Sequence, residues 1–273
     1  MPARLNLWLK LLKISKMSNL YSVHPNAKIG NNVNIGNYTN IYDDVEIGDN
    51  CEIYGNVTIF PGARIGDNVK IFPGAVVSGV PQDLKFRGET TYAYIGSGTT
   101  LRECVTVNRG TASKGKTIVG ENCLIMAYSH VAHDCKVGNC VIISNASQLA
   151  GEVIVDDCAV IGGGSLIHQF CHLGRNIMLQ GGALVNKDIP PFVKAAREPI
   201  SYVGLNTIGM HRHGFTDEEI RHISEIYRIL YLSDLNVTNA VKLIESTVPE
   251  TKFRNEIVNF VVNSERGIIR SVI

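Results

Sequence analysis

The sequence predicts an all-β solenoid, a parallel β-helix, followed by a C-terminal helical domain. A six-residue repeat covers most of residues 23–190, and each of its 24 units begins with Ile, Val or Leu. After Pro190 the apolar residues recur with the period of an amphipathic helix instead. The chain is therefore expected to divide into an N-terminal extension over 1–22, a β-helix over 23–190 and a helical domain over 191–273.

The repeat explains the expected fold physically. Successive units read IGNNVN, IGNYTN, IYDDVE, IGDNCE and IYGNVT, with an aliphatic first place and a small or β-branched fifth place. The first-place side chains are expected to fill the axis of the coil. Asn, Asp and Gly between them tolerate the left-handed backbone of tight corners. Because no unit can bury its apolar face alone, the coils must stack.

Two inserts interrupt the repeat, at Asp83–Tyr94 and at Val107–Ile118. Both are expected to leave the solenoid as loops. Loops held by a rigid scaffold often carry function. The inserts are therefore candidate parts of a binding site.

The C-terminal part is expected to contain three helices. Thr216 and Glu219 have the spacing of a capping box, and an apolar stripe follows them. Asn239–Thr247 and Lys252–Val262 have the same helical period. This domain is expected to close one end of the solenoid and to protect its open β edge. The stripe comprises Ile220, Ile223, Tyr227 and Leu230.

Composition excludes several classes of protein. A formal net charge of +1 over 273 residues argues against nucleic-acid binding. Seven cysteines without a CxxC pair indicate a reducing compartment and no disulfide framework. No apolar run reaches the ~18 residues of a membrane span, so no stable membrane insertion is expected.

The first sixteen residues lack the apolar centre of a signal peptide. We interpret Met17 as the natural start of the protein. The alternative is that these residues form an amphipathic segment on a membrane surface.

The repeat resembles that of hexapeptide-repeat acyltransferases, which form left-handed β-helices with three units, or 18 residues, in each coil. With that period, His133 stacks on Gly151 and then on Gln169. His168 lies beside Gln169. His130 and Glu152 are expected in the same region, so several histidines should gather around a glycine.

Three interpretations of this histidine cluster are open. The side chains could be solvated surface residues, or they could bind zinc between subunits, as in hexapeptide-repeat carbonic anhydrases. The third is acid–base chemistry, with one histidine as general base and a backbone amide as the oxyanion donor. We favour the third and expect no metal.

A series of longer motifs accompanies the repeat: PQDLKFRGE, RECVTVNRGT, AYSHVAHDCKVGN, NASQLAG, IHQFCHLG, VNKDIPPFV, GLN and HRHGF. In this order they resemble the motifs of the UDP-N-acetylglucosamine O-acyltransferases that begin lipid A synthesis. The resemblance implies a cytoplasmic homotrimer with active sites in the clefts between neighbouring prisms. It also implies an (R)-3-hydroxyacyl group on acyl carrier protein as donor, a UDP-amino sugar as acceptor and no cofactor.

The resemblance also implies the roles of individual residues. His133 matches the catalytic base, Asp134 the residue that orients it, and Gly151 the oxyanion donor. Gly181 matches the position where side-chain bulk limits acyl length. The positions that match substrate-binding residues are Asp83, Lys85, His130, His168, Gln169, Asn206 and Arg212.

Four residues depart from the usual pattern of this family: Glu152, Asn108, Ile208 and His213. They leave the acceptor open, because a 3-amino UDP-sugar would give an amide by the same transfer. A zinc-dependent hydratase and a non-catalytic scaffold are further alternatives. The related N-acyltransferase carries an additional N-terminal uridine-binding domain, for which residues 1–21 are too few.

Overall fold

A computed structural model describes residues 20–271, in which a three-faced prism of short parallel strands precedes four helices. The interpretation of residues 1–19 lies outside this part of the chain. Face 1 contains β1 Ser22–Val23, β4 Asn40–Ile41, β7 Thr58–Ile59, β10 Val76–Gly79, β13 Thr106–Asn108, β16 His130–Val131, β19 Gln148–Leu149, β22 Leu166–Ile167 and β25 Leu184–Val185. Face 2 contains β2 Lys28–Ile29, β5 Glu46–Ile47, β8 Ala63–Ile65, β11 Tyr92–Ile95, β14 Lys116–Val119, β17 Lys136–Val137, β20 Ile154–Val155 and β23 His172–Leu173.

Face 3 extends beyond the prism into the C-terminal segment. Its last three strands come from that segment, and β27 runs antiparallel to β26. Face 3 contains β3 Asn34–Ile35, β6 Glu52–Ile53, β9 Lys70–Ile71, β12 Thr100–Leu101, β15 Leu124–Ile125, β18 Ile142–Ile143, β21 Val160–Ile161, β24 Met178–Leu179, β26 Val193–Ala196, β27 Ser201–Leu205 and β28 Arg270–Ser271.

The strand register gives a coil of 18 residues, as expected. His130 pairs with Gln148, and Gln148 pairs with Leu166. The first-place aliphatics, such as Val131 and Leu149, are fully buried along the axis. The fourth residue of most units turns the corner with a positive φ, which is 61° at Asp134.

Both inserts leave the prism at the corner between faces 1 and 2, here called the 1–2 corner. The loops span residues 80–91 and 109–115; the first is as long as the predicted insert but begins three residues earlier, and the second is five residues shorter than predicted. Residues 92–94 belong to β11, residues 107–108 to β13 and residues 116–118 to β14, because backbone hydrogen bonds continue the ladder into the stems of both loops. The scaffold therefore places two loops side by side at one corner.

The C-terminal segment is not wholly helical, in contrast to the prediction. Strands β26 and β27 come first, and the helices are α1 Thr207–Arg212, α2 Asp217–Leu232, α3 Val237–Thr247 and α4 Lys252–Val262. The capping box of Thr216 and Glu219 is present, which confirms the start of α2. Helix α1 was not predicted, because six residues carry too little periodicity. No helix among residues 20–271 has both the length and the apolar character needed to cross a membrane.

Arg175 fastens this segment to the prism. Its Nε and Nη2 donate to the Oε1 and Oε2 of Glu256 in α4, at 2.5 and 2.8 Å. Its guanidinium also lies 4.6 Å from the centre of the Phe192 ring. A bidentate, charge-assisted pair with a cation–π contact is stronger than an ordinary surface ion pair.

Replacing Arg175 by alanine is expected to lower the free energy of unfolding by about 3 kcal/mol, because both hydrogen bonds and the ring contact are lost. Urea unfolding followed by circular dichroism measures the change. Arg228→Ala, an exposed arginine of α2, is the matched control and should change stability by less than about 0.5 kcal/mol. Equal changes in the free energy of unfolding for the two substitutions would show that Arg175 does not attach the C-terminal segment to the prism.

Candidate active site

A cleft of about 670 Å³ runs along face 1 beside the 1–2 corner. One end is polar and contains His130 and His133 of one coil and His168 from two coils further along. The other end has an apolar floor that includes Leu166 and Leu184, both of which are half exposed. The sequence-predicted residues that line the cleft are His130, His133, Gly151, His168 and Gln169.

His133 and Asp134 form a hydrogen-bonded pair at the corner. The His133 Nδ1 lies 2.9 Å from the Asp134 Oδ2, and the Asp134 side chain is completely buried. Strand alternation would point these neighbours apart, but the positive φ of Asp134 turns its side chain toward the imidazole. With Nδ1 donating to the carboxylate, Nε2 keeps its lone pair and can act as a base.

The second insert loop holds the Asp134 carboxylate in place. The Thr111 backbone N–H donates to Oδ1 at 2.9 Å, and the Thr111 hydroxyl donates to Oδ2 at 2.6 Å. The Lys114 backbone N–H donates to Oδ1 at 3.3 Å. Together with His133, these donors give both Asp134 oxygens hydrogen bonds, so the orientation of the carboxylate is fixed before any substrate binds.

Gly151 lies against the His133 ring, one coil further along. A Cβ at Gly151 would come within 2.6 Å of the His133 Cε1 and 2.7 Å of Nε2, so only glycine leaves room for the imidazole. Among residues 20–271 no hydrogen-bond acceptor is assigned to the Gly151 N–H. That N–H is therefore available to a ligand beside the His133 Nε2.

Cys135 follows the pair but takes no part in the chemistry. Its thiol is buried inside the prism, and burial raises the pKa of Cys135 to about 12. A thiol of that pKa supplies almost no thiolate near neutral pH. The interpretation of the fifth-place cysteines as small buried residues is confirmed here.

His130 is neutral in the folded protein near neutral pH. Burial lowers its pKa below the ordinary value of 6.5, although the neighbouring Thr106 opposes that shift. The Thr106 hydroxyl lies 2.7 Å from the His130 Nδ1. His130 therefore presents an uncharged imidazole to the cleft.

The stability of the protein is expected to fall at acid pH in part through His130. The unfolded chain takes up a proton at this residue as the pH falls through about 6.5, but the folded protein does so only at lower pH. Below pH 6.5 the unfolded state then binds more protons, so the free energy of unfolding decreases. The free energy of unfolding, measured in urea between pH 7.5 and 5.5, should fall more steeply with decreasing pH for the wild type than for His130→Asn. The two slopes should differ by at most about 1.4 kcal/mol per pH unit. Parallel curves would contradict this account.

Asp83 and Lys85 lie in the first insert loop, next to the cleft-lining residue Gln82. The Asp83 carboxylate accepts a hydrogen bond from the Lys85 backbone N–H at 2.9 Å and shapes the turn. The Lys85 side chain is exposed. The structure thus places both residues at the correct corner, outside the cleft lining.

The remaining predicted residues lie at the other two corners. Asn206 caps α1 and Arg212 is the last residue of α1, at the 2–3 corner, where the Asn206 Nδ2 donates to the Asn176 carbonyl at 2.9 Å. The Asn206 Oδ1 accepts from the Gly209 N–H at 3.2 Å, so its buried amide holds α1 in place. Gly181 lies at the 3–1 corner, packed against Gly163 of the previous coil. A single prism does not bring these three residues to His133.

The four departures from the family pattern have separate locations. Glu152 was expected in the cluster, but its positive φ directs the side chain toward the second insert loop, outside the cleft. Asn108 is buried and donates to the Val80 carbonyl at 3.1 Å, which ties the stems of the two inserts. Ile208 is exposed on α1, and His213 contacts the Asn176 side chain.

Sequence reasoning missed several residues of the site. Gln148 lines the cleft, and its place 18 residues after His130 could have revealed it. Thr111 and Glu198 come from segments without the repeat, so no periodic signal marks them, and Gln82 is the last residue of the unit before the first insert. No three His, Cys, Asp or Glu side chains in the described range are placed to hold a metal ion.

Comparison with known proteins gives two family matches. Residues 188–269 match domain 2 of the UDP-N-acetylglucosamine O-acyltransferases, and residues 26–61 and 116–151 match the six-repeat bacterial transferase hexapeptide. An acyl-[acyl-carrier-protein]–UDP-N-acetylglucosamine O-acyltransferase of a Sulfurihydrogenibium species is 49% identical over 256 residues, which is 91% of this chain and 94% of that protein. The chain belongs to the UDP-N-acetylglucosamine O-acyltransferase family.

Solved structures of the UDP-N-acetylglucosamine acyltransferase family agree with this assignment. The enzyme from Bacteroides fragilis is 51% identical, with a TM-score of 0.91 over 93% of this chain and 100% of that one. The enzyme from Francisella novicida is 37% identical, with a TM-score of 0.90 over 93% of this chain and 94% of that one. The expected left-handed parallel β-helix with a C-terminal helical region is confirmed.

Proposed function

We propose that this protein transfers an (R)-3-hydroxyacyl chain from acyl carrier protein to the 3-hydroxyl of UDP-N-acetylglucosamine, the first step of lipid A biosynthesis in the cytoplasm. The observation that carries the proposal is the His133–Asp134 pair beside the unused Gly151 N–H, at the polar end of an apolar-floored cleft. Relatives in sequence are named as O-acyltransferases that use acyl-[acyl-carrier-protein] and UDP-N-acetylglucosamine, which supports the donor and the acceptor.

The geometry supports a direct transfer mechanism. The His133 Nε2 takes the proton of the sugar hydroxyl as its oxygen attacks the thioester carbonyl carbon. The Gly151 N–H donates to the oxyanion of the tetrahedral intermediate. The intermediate collapses, the C–S bond breaks, and the imidazolium returns the proton to the leaving sulfur. Asp134 holds Nδ1–H throughout and stabilises the imidazolium.

The cleft provides a surface for the acyl chain. Leu166 and Leu184 lie on adjacent coils of face 1 and present half-exposed side chains to it, and Ile200 adds a wall. An acyl chain that covers these side chains removes apolar surface from water at roughly 25 cal/mol per Å². The thioester end then lies at the histidines.

A homotrimer completes the proposed site. His133 and Arg212 lie at different corners of the prism, and Arg212 is exposed with no ion pair among residues 20–271. Three prisms packed around a three-fold axis would bring the 1–2 corner of one subunit toward the 2–3 corner of its neighbour. The Arg212 guanidinium suits the UDP diphosphate, which it can bind through two hydrogen bonds. Gly181 would leave room for a long acyl chain.

The experiment that tests the function is a transfer assay with a series of (R)-3-hydroxyacyl carrier proteins. UDP-N-acetylglucosamine and its 3-amino analogue are offered separately, and mass spectrometry identifies the product. Ester formation on UDP-N-acetylglucosamine, with one preferred chain length, supports the proposal. Transfer to the amino sugar alone would assign the other acceptor, and no transfer to either would overturn the function.

A further inference from the structure

We propose that Glu152 is a positioning residue that acts on His133 through the second insert loop and does not contact substrate. This inference rests on the proposed function, because it concerns the alignment of the same base. It assigns a role to the glutamate that distinguishes this chain from the usual family pattern.

Glu152 lies directly beside the catalytic corner. Its backbone N–H donates to the His133 carbonyl at 3.0 Å, and its φ of 60° matches the 61° of Asp134 one coil earlier. Its Oε1 accepts a hydrogen bond from the Ser113 hydroxyl at 3.1 Å, and its Oε2 lies 3.9 Å from the Lys114 Nζ. Two carboxylates on consecutive coils therefore hold one loop.

The two attachments divide the loop between them. Two backbone hydrogen bonds, both 3.0 Å long, fix the stem of the loop to Tyr92. The Gly110 N–H donates to the Tyr92 carbonyl, and the Tyr92 N–H donates to the Gly115 carbonyl. Asp134 holds the backbone of Thr111 and Lys114. Glu152 holds the side chain of the tip residue Ser113 and lies close to the Lys114 ammonium. Loss of the Glu152–Ser113 hydrogen bond would loosen the tip of the second insert loop, whose backbone N–H groups orient the Asp134 carboxylate.

A direct catalytic role for Glu152 is disfavoured by its charge and direction. Its carboxylate lies outside the cleft, on the face 2 side of the corner. A negative charge beside the Gly151 N–H would oppose the oxyanion that forms there. The Ser113 hydroxyl and the Lys114 ammonium instead hold the Glu152 carboxylate away from the reacting atoms, and these contacts anchor the loop.

The test compares Glu152→Ala, Ser113→Ala, the double variant and Glu152→Gln in the transfer assay. Each single alanine change should lower kcat by on the order of tenfold with KM for the UDP-sugar unchanged, because a base displaced by a fraction of an ångström loses rate. The double variant should be no worse than either single one, since both remove the same bond. Glu152→Gln keeps an acceptor for Ser113 and should restore most of the kcat.

Three kinetic outcomes would overturn the inference. These are an equal loss with Glu152→Gln and Glu152→Ala, a wild-type rate with Ser113→Ala, and a raised KM, which would place Glu152 on the substrate. Amide exchange over residues 109–116 is measured in parallel and should quicken in Glu152→Ala but not in Glu152→Gln. An inactive wild type would instead overturn the proposed function, and unchanged exchange in Glu152→Ala would overturn the loop contact by itself.

Discussion

Replacing His133 by alanine is expected to lower the rate of acyl transfer by about 10³-fold. The imidazole is the one group at the polar end of the cleft whose free nitrogen lies beside the Gly151 N–H and whose other nitrogen is held by a buried carboxylate. General bases contribute 10²- to 10⁴-fold in rate, and water replaces them poorly in a partly closed site. Single-turnover assays with saturating substrates measure the loss in the chemical step.

The control for this experiment is the folded state of the variant. The His133 side chain is 18% exposed and contributes little to the axis of the prism, so the melting temperature should change by only a few degrees. His172→Ala removes a second histidine that is paired with an aspartate, Asp156, outside the cleft, and should keep a rate near that of the wild type. A His133→Ala protein that is folded and retains more than about a tenth of the rate would assign the base to another group.

The second large effect is expected from the addition of one methyl group, in Gly151→Ala. The new Cβ would lie 2.6 Å from the His133 Cε1, which is closer than carbon atoms approach, so the ring must move. Moving the ring breaks its 2.9 Å hydrogen bond to Asp134 and displaces Nε2 from the sugar hydroxyl. The expected loss in kcat is about 10²-fold, because a misplacement of about 1 Å is enough.

Gly163→Ala is the matched control for this substitution. Gly163 occupies the same third place of its six-residue unit, and the nearest atom to its new Cβ would be the Asn145 carbonyl oxygen, at 3.1 Å, with the next nearest at 3.7 Å. Its rate should fall by less than about threefold, in keeping with a small local adjustment. A Gly151→Ala enzyme with normal kcat would show that the ring has freedom the structure does not indicate.

The repeat predicted the scaffold because each six-residue unit contains both the aliphatic residue of a strand and the residues of a corner. An aliphatic residue every six positions predicts the axis, and the 18-residue coil implied by the family resemblance predicts that His133, Gly151 and Gln169 share one corner, as the strand register confirms. The helices α3 and α4 were placed correctly, except that α3 begins two residues earlier, at Val237. Local pattern sufficed wherever neighbouring coils make identical contacts.

The contacts that periodicity alone could not predict do not recur with the repeat, although the family resemblance implied that Asp134 orients His133. The His133–Asp134 bond follows from a left-handed corner backbone, which strand alternation does not describe. The clamp of Thr111 on Asp134 joins residues 23 positions apart through an irregular loop. Glu152 was misplaced for the same reason, because its side chain follows the corner and the loop, not the cleft.

The most direct test of the account is complementation between two inactive variants. His133→Ala and Arg212→Ala are co-expressed with different tags, mixed trimers are purified through both tags, and acyl transfer to UDP-N-acetylglucosamine is measured. If each site combines His133 of one subunit with Arg212 of its neighbour, one of the three sites in every mixed trimer regains both residues, and about one third of the wild-type rate returns. A mixture no more active than the two variants alone would contradict a site shared between subunits.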